Sequence, residues 1–329
     1  MKAVNWNVNH RGDDVLYSRL LSVLAGTFPY PITKVKKLRD HVFLLETGYK
    51  HFILKGFSSF WRLQLQEAFT ASLRAAGFHH SYLFYRFSEQ PVYFNKRFCG
   101  FIEYIEPHEE RFSYAQDANR KEGLWLLGEF HQKTKRLARQ YETVLPRFHL
   151  YEKWTERKRQ FEKNLPVIRK YLQNRIIDEL LEWGNASLEG MRQENMQFGD
   201  EEPPTILHGD VAHHNYLRAK SGKLYLLDFD LISIGHESVD LLQYANRILP
   251  FIHWSFHRLA ELEPMQKYLQ NRAFLYALMY PTDVYREWNR IIKEKAHLRP
   301  DKLLSVIELT TELFPLRGQF IKQLQNMVK

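Results

Sequence analysis

The 329-residue chain carries a single cysteine, Cys99. An intramolecular disulfide is impossible, and a cysteine-based zinc site is excluded. No run of about 18 apolar residues occurs, so no membrane span is expected. The N-terminal MKAVNWNVNHRGDD is too polar for a signal peptide, so synthesis in the cytoplasm without a cleavable signal is expected. Repeats and low-complexity tracts are absent. Aromatic residues, by contrast, are abundant at 15%, enough for a large core. The length suits two domains or one two-lobed domain. The net charge of +9 is uneven, +6 over residues 1–106 and +3 over residues 107–329. A basic balance favours anionic ligands and surfaces.

The first part of the chain reads as sheet. DVLYSRLLSVLA (14–25) has helical spacing and ends at the breaker Thr27-Phe-Pro-Tyr-Pro31. VFLLE (42–46) and HFILKGF (51–57) flank Thr47-Gly48-Tyr49-Lys50, the pattern of a hairpin. FWRLQLQEAFTASLRAA (60–76) predicts an amphipathic helix ended by Gly77. Strands follow at 81–87 and 92–106, the second with a turn at Asn95-Lys96. Glu106-Pro107-His108-Glu109-Glu110 reads as a hinge. Beyond it the chain is mostly helical, with a strong 3.6-residue period over 114–140 and two or three helices over 151–197. Glu201-Glu202-Pro203-Pro204 reads as a linker. Five of the seven tryptophans, Trp125, Trp154, Trp183, Trp254 and Trp288, fall on apolar helix faces and are expected in the core.

An island of short strands interrupts the helical part. TILHGD (205–210) and KLYLLDF (223–229) are separated by the turn Lys220-Ser221-Gly222-Lys223. Asp210 follows one strand, Asn215 lies five residues on, and Asp228 ends the next strand. Each alone is an ordinary turn residue. Together they make a set of hard oxygen donors that suits Mg²⁺ beside substrate phosphates, with one further carboxylate to accept a hydroxyl proton. That is the catalytic-loop logic of phosphoryl transfer.

His208-Gly209-Asp210, Asn215 and Leu227-Asp228-Phe229-Asp230 resemble the aminoglycoside phosphotransferase/choline kinase family, and the chain as a whole resembles its spore-coat branch. The resemblance implies an α+β, two-lobed protein-kinase-like fold. A small antiparallel-sheet N-lobe would span 1–106. A mainly helical C-lobe would span 107–329, with the catalytic loop at 205–240 and a helical insert at about 140–200. It implies that Asp210 is the catalytic carboxylate and that Asn215 and Asp228 hold the metal. Asp240 then matches a buried Asp that steadies the catalytic loop, and Gly128-Glu129-Phe130-His131 a helix ending in His. ATP or another nucleoside triphosphate and Mg²⁺ are the implied cofactors. A hydroxyl acceptor and spore-coat proteins are the implied partners.

The small lobe supplies matching pieces. Lys55 is the one Lys or Arg in HFILKGF, and Glu67 is the one acidic residue between Glu46 and Glu89. Lys55 on phosphates, braced by Glu67, is the expected pairing. The strand ending Phe101-Ile102-Glu103-Tyr104-Ile105-Glu106 resembles the hinge that meets the purine, through backbone groups of Glu103 and Ile105. One part is missing. The turn Lys37-Leu38-Arg39-Asp40-His41 has no glycine to bring backbone N–H groups onto phosphates. Two readings therefore stand: an active phosphotransferase, or a catalytically weak kinase-like component of the spore coat. The basic balance argues against cationic aminoglycosides as acceptors. His208, His213 and His214 raise a zinc hydrolase, but their spacing fits no zinc motif. The basic stretches Lys133-Lys135-Arg136-Arg139 and Arg157-Lys158-Arg159 read as solvated helix faces, and no nucleic-acid partner is expected.

Overall fold

The computed structural model describes residues 11–195 and 203–329. The first ten residues of the polar N-terminus and Glu201-Glu202 of the expected linker lie outside the described residues. Two compact units form: Met1–Arg111 with Tyr216–Asp230, and Phe112–Asn215 with Leu231–Lys329. Among the described residues no helix is long and apolar enough to cross a membrane.

In the first unit, α1 (Arg11–Leu24) precedes β1 (Ile32–Arg39), β2 (Val42–Thr47) and β3 (Phe52–Phe57). Then come α2 (Phe60–Ala75), β4 (Phe84–Tyr85), β5 (Val92–Phe94) and β6 (Arg97–Glu103). The sheet runs β1-β2-β3-β6-β4, with β5 also paired to β6. Every pairing is antiparallel. The β2–β3 turn forms because Thr47 Oγ1 bonds both the carbonyl and the N–H of Lys50. The β5–β6 turn places Asn95 and Lys96 at positive φ, as a two-residue hairpin loop requires. Alternation along β3 sends Phe52 and Leu54 into a core shared with Leu20 and Leu24 of α1 and with Phe28. Lys55 therefore falls on the opposite face. The strand expected over 81–87 contracts to Phe84–Tyr85, with the Leu83 carbonyl accepting from Glu103 N–H at the end of β6 and the His80 carbonyl from Leu226 N–H.

α2 starts at Ser59, whose side chain caps Arg62 N–H, and stops before Gly77 at φ +86°. Its buried stripe is Leu63, Gln66, Phe69, Thr70 and Leu73. Later in the chain, after β7 (Thr205–Leu207) of the second unit, the hairpin β8 (Tyr216–Arg218) and β9 (Leu224–Leu226) returns to the first unit. His108 N–H bonds the Arg218 carbonyl and Lys220 N–H the Glu106 carbonyl, both at 2.8 Å.

The second unit is helical around one small ribbon, β7 paired antiparallel to β10 (Ser233–Gly235). Its helices are α3 (Asp117–Tyr141), α4 (Leu150–Lys163), α5 (Leu165–Ile168), α6 (Asn174–Gln193), α7 (Ser238–Ile248), α8 (Phe256–Ala260), α9 (Glu263–Gln266), α10 (Arg272–Leu278), α11 (Thr282–Lys293), α12 (Pro300–Thr311) and α13 (Phe314–Met327). Trp154 stacks on Tyr280 at 4.2 Å, and Trp288 donates to Thr310 Oγ1 at 3.0 Å. Trp183 and Trp254 are buried as expected, but Trp125 is 60% exposed. α3 turns Leu124, Leu127, Phe130, His131 and Thr134 inward, which leaves Trp125 off that face. Lys158 pairs with Glu162 and Arg159 with Glu156, as on a solvated face, but Arg157 turns to Thr282.

Candidate active site

The candidate residues fall into two sets, one in each unit. In the second unit, β7 runs into His208-Gly209-Asp210. Gly209 sits at φ +80°, and a Cβ there would lie 2.3 Å from the Leu231 carbonyl oxygen, so the bend admits only glycine. Beneath it lies Asp240, in the first turn of α7 and fully buried. Its carboxylate accepts from His208 N–H at 2.7 Å, Gly209 N–H at 3.0 Å and His131 Nε2 at 2.9 Å. Burial opposes the charge on Asp240. Bonding to His131 and the nearby His208 outweigh that and hold the carboxyl below its ordinary value. The carboxylate thus ties α3 to the loop.

The loop closes on itself at Asn215. Its side-chain nitrogen donates to the Asp210 carbonyl at 2.8 Å. Tyr114 Oη donates to the Val211 carbonyl at 2.6 Å. The Asp210 carboxylate is about one-third exposed and contacts Arg247 Nη2 of α7 at 3.2 Å. Sequence reasoning missed Arg247. A signal was present: it lies seven residues, two helical turns, after Asp240, hence on the same face of α7. The rings of His213 and His214 meet edge to face at 5.5 Å. Among the described residues no three His, Cys, Asp or Glu side chains are grouped to hold a metal.

In the first unit, β9 is followed directly by Leu227 and Asp228. Asp228 adopts φ +68°, a conformation that Asp tolerates better than most residues. The next residue fixes it. Phe229 is fully buried, edge-on to Phe69 of α2 and in ring contact with Tyr82. Its carbonyl accepts from Gln66 Nε2. Asp228 and Asp230 then reach one ammonium: Lys55 Nζ lies 2.9 Å from Oδ1 of each. Burial, with Asp228 close by, raises the Asp230 carboxyl above its ordinary value despite Lys55. Burial and the same two carboxylates push up the Tyr82 phenol, whose hydroxyl bonds Gln66.

The expected bracing of Lys55 by Glu67 does not form. Glu67 pairs with Arg86 at 2.8 Å instead. The spacing of α2 explains this: Gln66 lies on the buried stripe, and Glu67 sits at its edge. Glu103 ends β6 opposite Phe52, and its N–H is already used on the Leu83 carbonyl. Ile105 lies just beyond β6. The β1–β2 connection is as short as a hairpin can be. Arg39 pairs with Val42, so only Asp40 and His41 turn the chain, His41 at φ +59°. Asp40 is held by Lys37 at 2.8 Å.

Asp228 and Asp230 converging on one cation supply the hard oxygen donors that Mg²⁺ takes when phosphates complete its shell. These residues fit the ion. The model of the phosphotransferase enzyme family, APH, matches residues 32–276. The chain belongs to this phosphotransferase family. No curated protein matches it. Among solved structures, an aminoglycoside phosphotransferase from Alicyclobacillus acidocaldarius is 14% identical, with TM-score 0.72 over 92% of this chain and 95% of that one. The choline kinase LicA from Streptococcus pneumoniae is 13% identical, with TM-score 0.51 over 90% and 97%. A spectinomycin phosphotransferase, solved with ADP and spectinomycin, is 14% identical, with TM-score 0.54 over 93% of each chain. These likenesses show the protein-kinase-like fold, with its antiparallel sheet in the N-terminal region and its helices in the C-terminal region. The family match covers both candidate sets.

Proposed function

We propose that this chain transfers the γ-phosphoryl group of ATP to a hydroxyl of a small acceptor. The observation that carries the reading is the Lys55–Asp228 pair: a cation and a carboxylate 2.9 Å apart, the carboxylate held in a left-handed backbone by a buried phenylalanine. A phosphoryl-transfer site uses a cation for the phosphates and a carboxylate for the metal, and here the two stand side by side. Asp210 supports it from the second unit, on a loop whose backbone Asp240 fixes.

In the reaction, the acceptor oxygen bonds to the γ-phosphorus as the bond from phosphorus to the β–γ bridging oxygen breaks. ADP leaves with that electron pair, and the hydroxyl proton passes to Asp210. Lys55 would neutralise phosphate charge. Asp228 and Asn215 would hold Mg²⁺, which when bound neutralises the polyphosphate and orients it. Arg247 orients the Asp210 carboxylate. Ile105 and the carbonyl of Glu103 are the backbone groups assigned to the purine. The test is calorimetry of ATP·Mg²⁺ with the full chain and with Asp228→Ala. Binding in the first and its loss in the second supports the reading. No binding at millimolar ATP contradicts it.

One observation favours a second reading. The two-residue turn Asp40-His41 offers no glycine-rich loop to cover phosphates and presents an exposed carboxylate. A chain that grips nucleotide weakly would then serve as a kinase-shaped component of the spore coat, a location supported by the sequence resemblance alone. Rescue of coat assembly by an Asp210→Asn chain in a deletion strain supports this second reading. Failure of that rescue counts against it.

A further inference from the structure

A cavity of about 450 Å³ opens within the second unit, a volume typical of small-molecule sites. Arg247, the residue that contacts Asp210, is in its wall, so the cavity lies one side chain away from the carboxylate assigned to the acceptor hydroxyl. Six cations line it: Lys153, Arg157, Arg247, Arg286, Arg290 and Lys302. Two carboxylates do, Asp283 and Glu287, and both are already matched. Asp283 is paired to Arg317 beneath the wall, and Glu287 bonds both Arg286 and Arg290. Among the described residues Lys153, Arg157 and Lys302 form no ion pair with a carboxylate.

The cations crowd one another. Burial, with Arg286 adding to it, lowers the pKa of Arg247 and of Arg157. Burial and these neighbouring guanidiniums do the same to Lys153. Arg157 is steered inward by bonding Thr282, and Lys153 lies over the Phe148 ring at 4.4 Å. Cations held in a concave wall against mutual repulsion lower the energy of an anion placed among them. Guanidinium forks suit planar or tetrahedral oxyanions.

We propose that this cavity is an acceptor site for an anionic hydroxyl compound, a small polyol or sugar bearing phosphate or carboxylate, with the oxyanion on the arginine cluster and a hydroxyl toward Asp210. The inference rests on the phosphotransferase reading and gives it a substrate class. The residues come from α4, α7, α11 and α12 and are spread from position 153 to position 302, so no local motif announces them.

The test separates the pocket from the chemistry. Binding is measured by calorimetry without nucleotide, using glycerol 3-phosphate and gluconate as anionic probes, glycerol as the neutral probe and kanamycin as the cationic one. One or both anions should bind at least tenfold more tightly than glycerol or kanamycin. The Arg157→Gln/Arg286→Gln chain should lose that preference, and the pair Lys153→Gln/Lys302→Gln, which among the described residues forms no ion pair with a carboxylate, should weaken it with unchanged thermal stability. ATP·Mg²⁺ binding should be the same in all three chains. Equal binding of all probes, stronger binding of kanamycin, or anion binding unaffected by either double variant overturns the proposal. Anion binding without any ATP-dependent transfer, from a chain that does bind ATP·Mg²⁺, overturns the acceptor role together with the reading beneath it.

Discussion

Asp240 and Arg247 stand two turns apart on α7 and act on the same loop from its two sides. The first buries its carboxylate under the backbone of His208 and Gly209, and the second reaches the Asp210 side chain. One helix thus sets both the position of the loop and the direction of its carboxylate.

Asp240→Ala should therefore unfold the second unit readily. It removes an acceptor of two backbone N–H groups and the partner of buried His131. Losing one member of such a buried pair costs about 3–5 kcal/mol. Urea denaturation measures it, and a loss below about 1 kcal/mol would show that the loop is held by other contacts.

The same group sets an acid limb. Its folded pKa lies below the ordinary carboxylate value, so its contribution is complete above that value and drains away as pH falls through the folded one. Wild-type stability should fall below about pH 4, and Asp240→Asn should flatten that limb. Asp230 has the opposite sign. Its raised pKa favours the protonated form when folded, so its effect on stability declines as pH rises above the ordinary value. Asp230→Asn should gain relative stability toward neutral pH. Identical pH profiles for all three chains would contradict both assignments.

Gly209→Ala tests the bend. The new Cβ meets a backbone oxygen rather than a flexible side chain, at a φ that alanine resists. The expected cost is about 1–3 kcal/mol, with activity reduced more than stability because Asp210 follows directly. Thermal melts and ADP release read the two effects, and full activity would show that the loop relaxes without moving Asp210.

Lys55→Met removes the ammonium that both Asp228 and Asp230 contact. Two carboxylates left close together should then welcome a divalent cation. Millimolar Mg²⁺ without nucleotide should raise the melting temperature of this variant by more than it raises that of the wild type. Equal shifts would argue that the two carboxylates do not form a cation site.

Much of this was legible in the sequence because it is local. The spacing of α2, the turns at Thr47–Lys50 and Asn95-Lys96, and Asp240 beneath the loop follow from patterns over a few residues or from a specific motif, whereas the contact of His131 with Asp240, 109 residues apart, was not read. The partner of Lys55 was not legible. Glu67 was the next carboxylate after Lys55 along the chain, whereas Asp228 and Asp230 arrive from 173 and 175 residues away. Trp125 looked like core because its neighbours are apolar, and a shift of one position, about 100°, moved it to solvent. The basic cavity was invisible for a similar reason. Arg157 sits in what reads as a solvated stretch, and only tertiary folding turns it inward.

The central claim is phosphoryl transfer with Asp210 as the base. The most direct measurement follows label from γ-labelled ATP into small molecules carrying hydroxyl and oxyanion groups, for the wild type and for Asp210→Asn. Label should move to the acceptor in the wild type and slow by about 10²–10⁴-fold in the variant, while ATP·Mg²⁺ binding and melting temperature stay unchanged. Equal transfer by both chains would contradict the account.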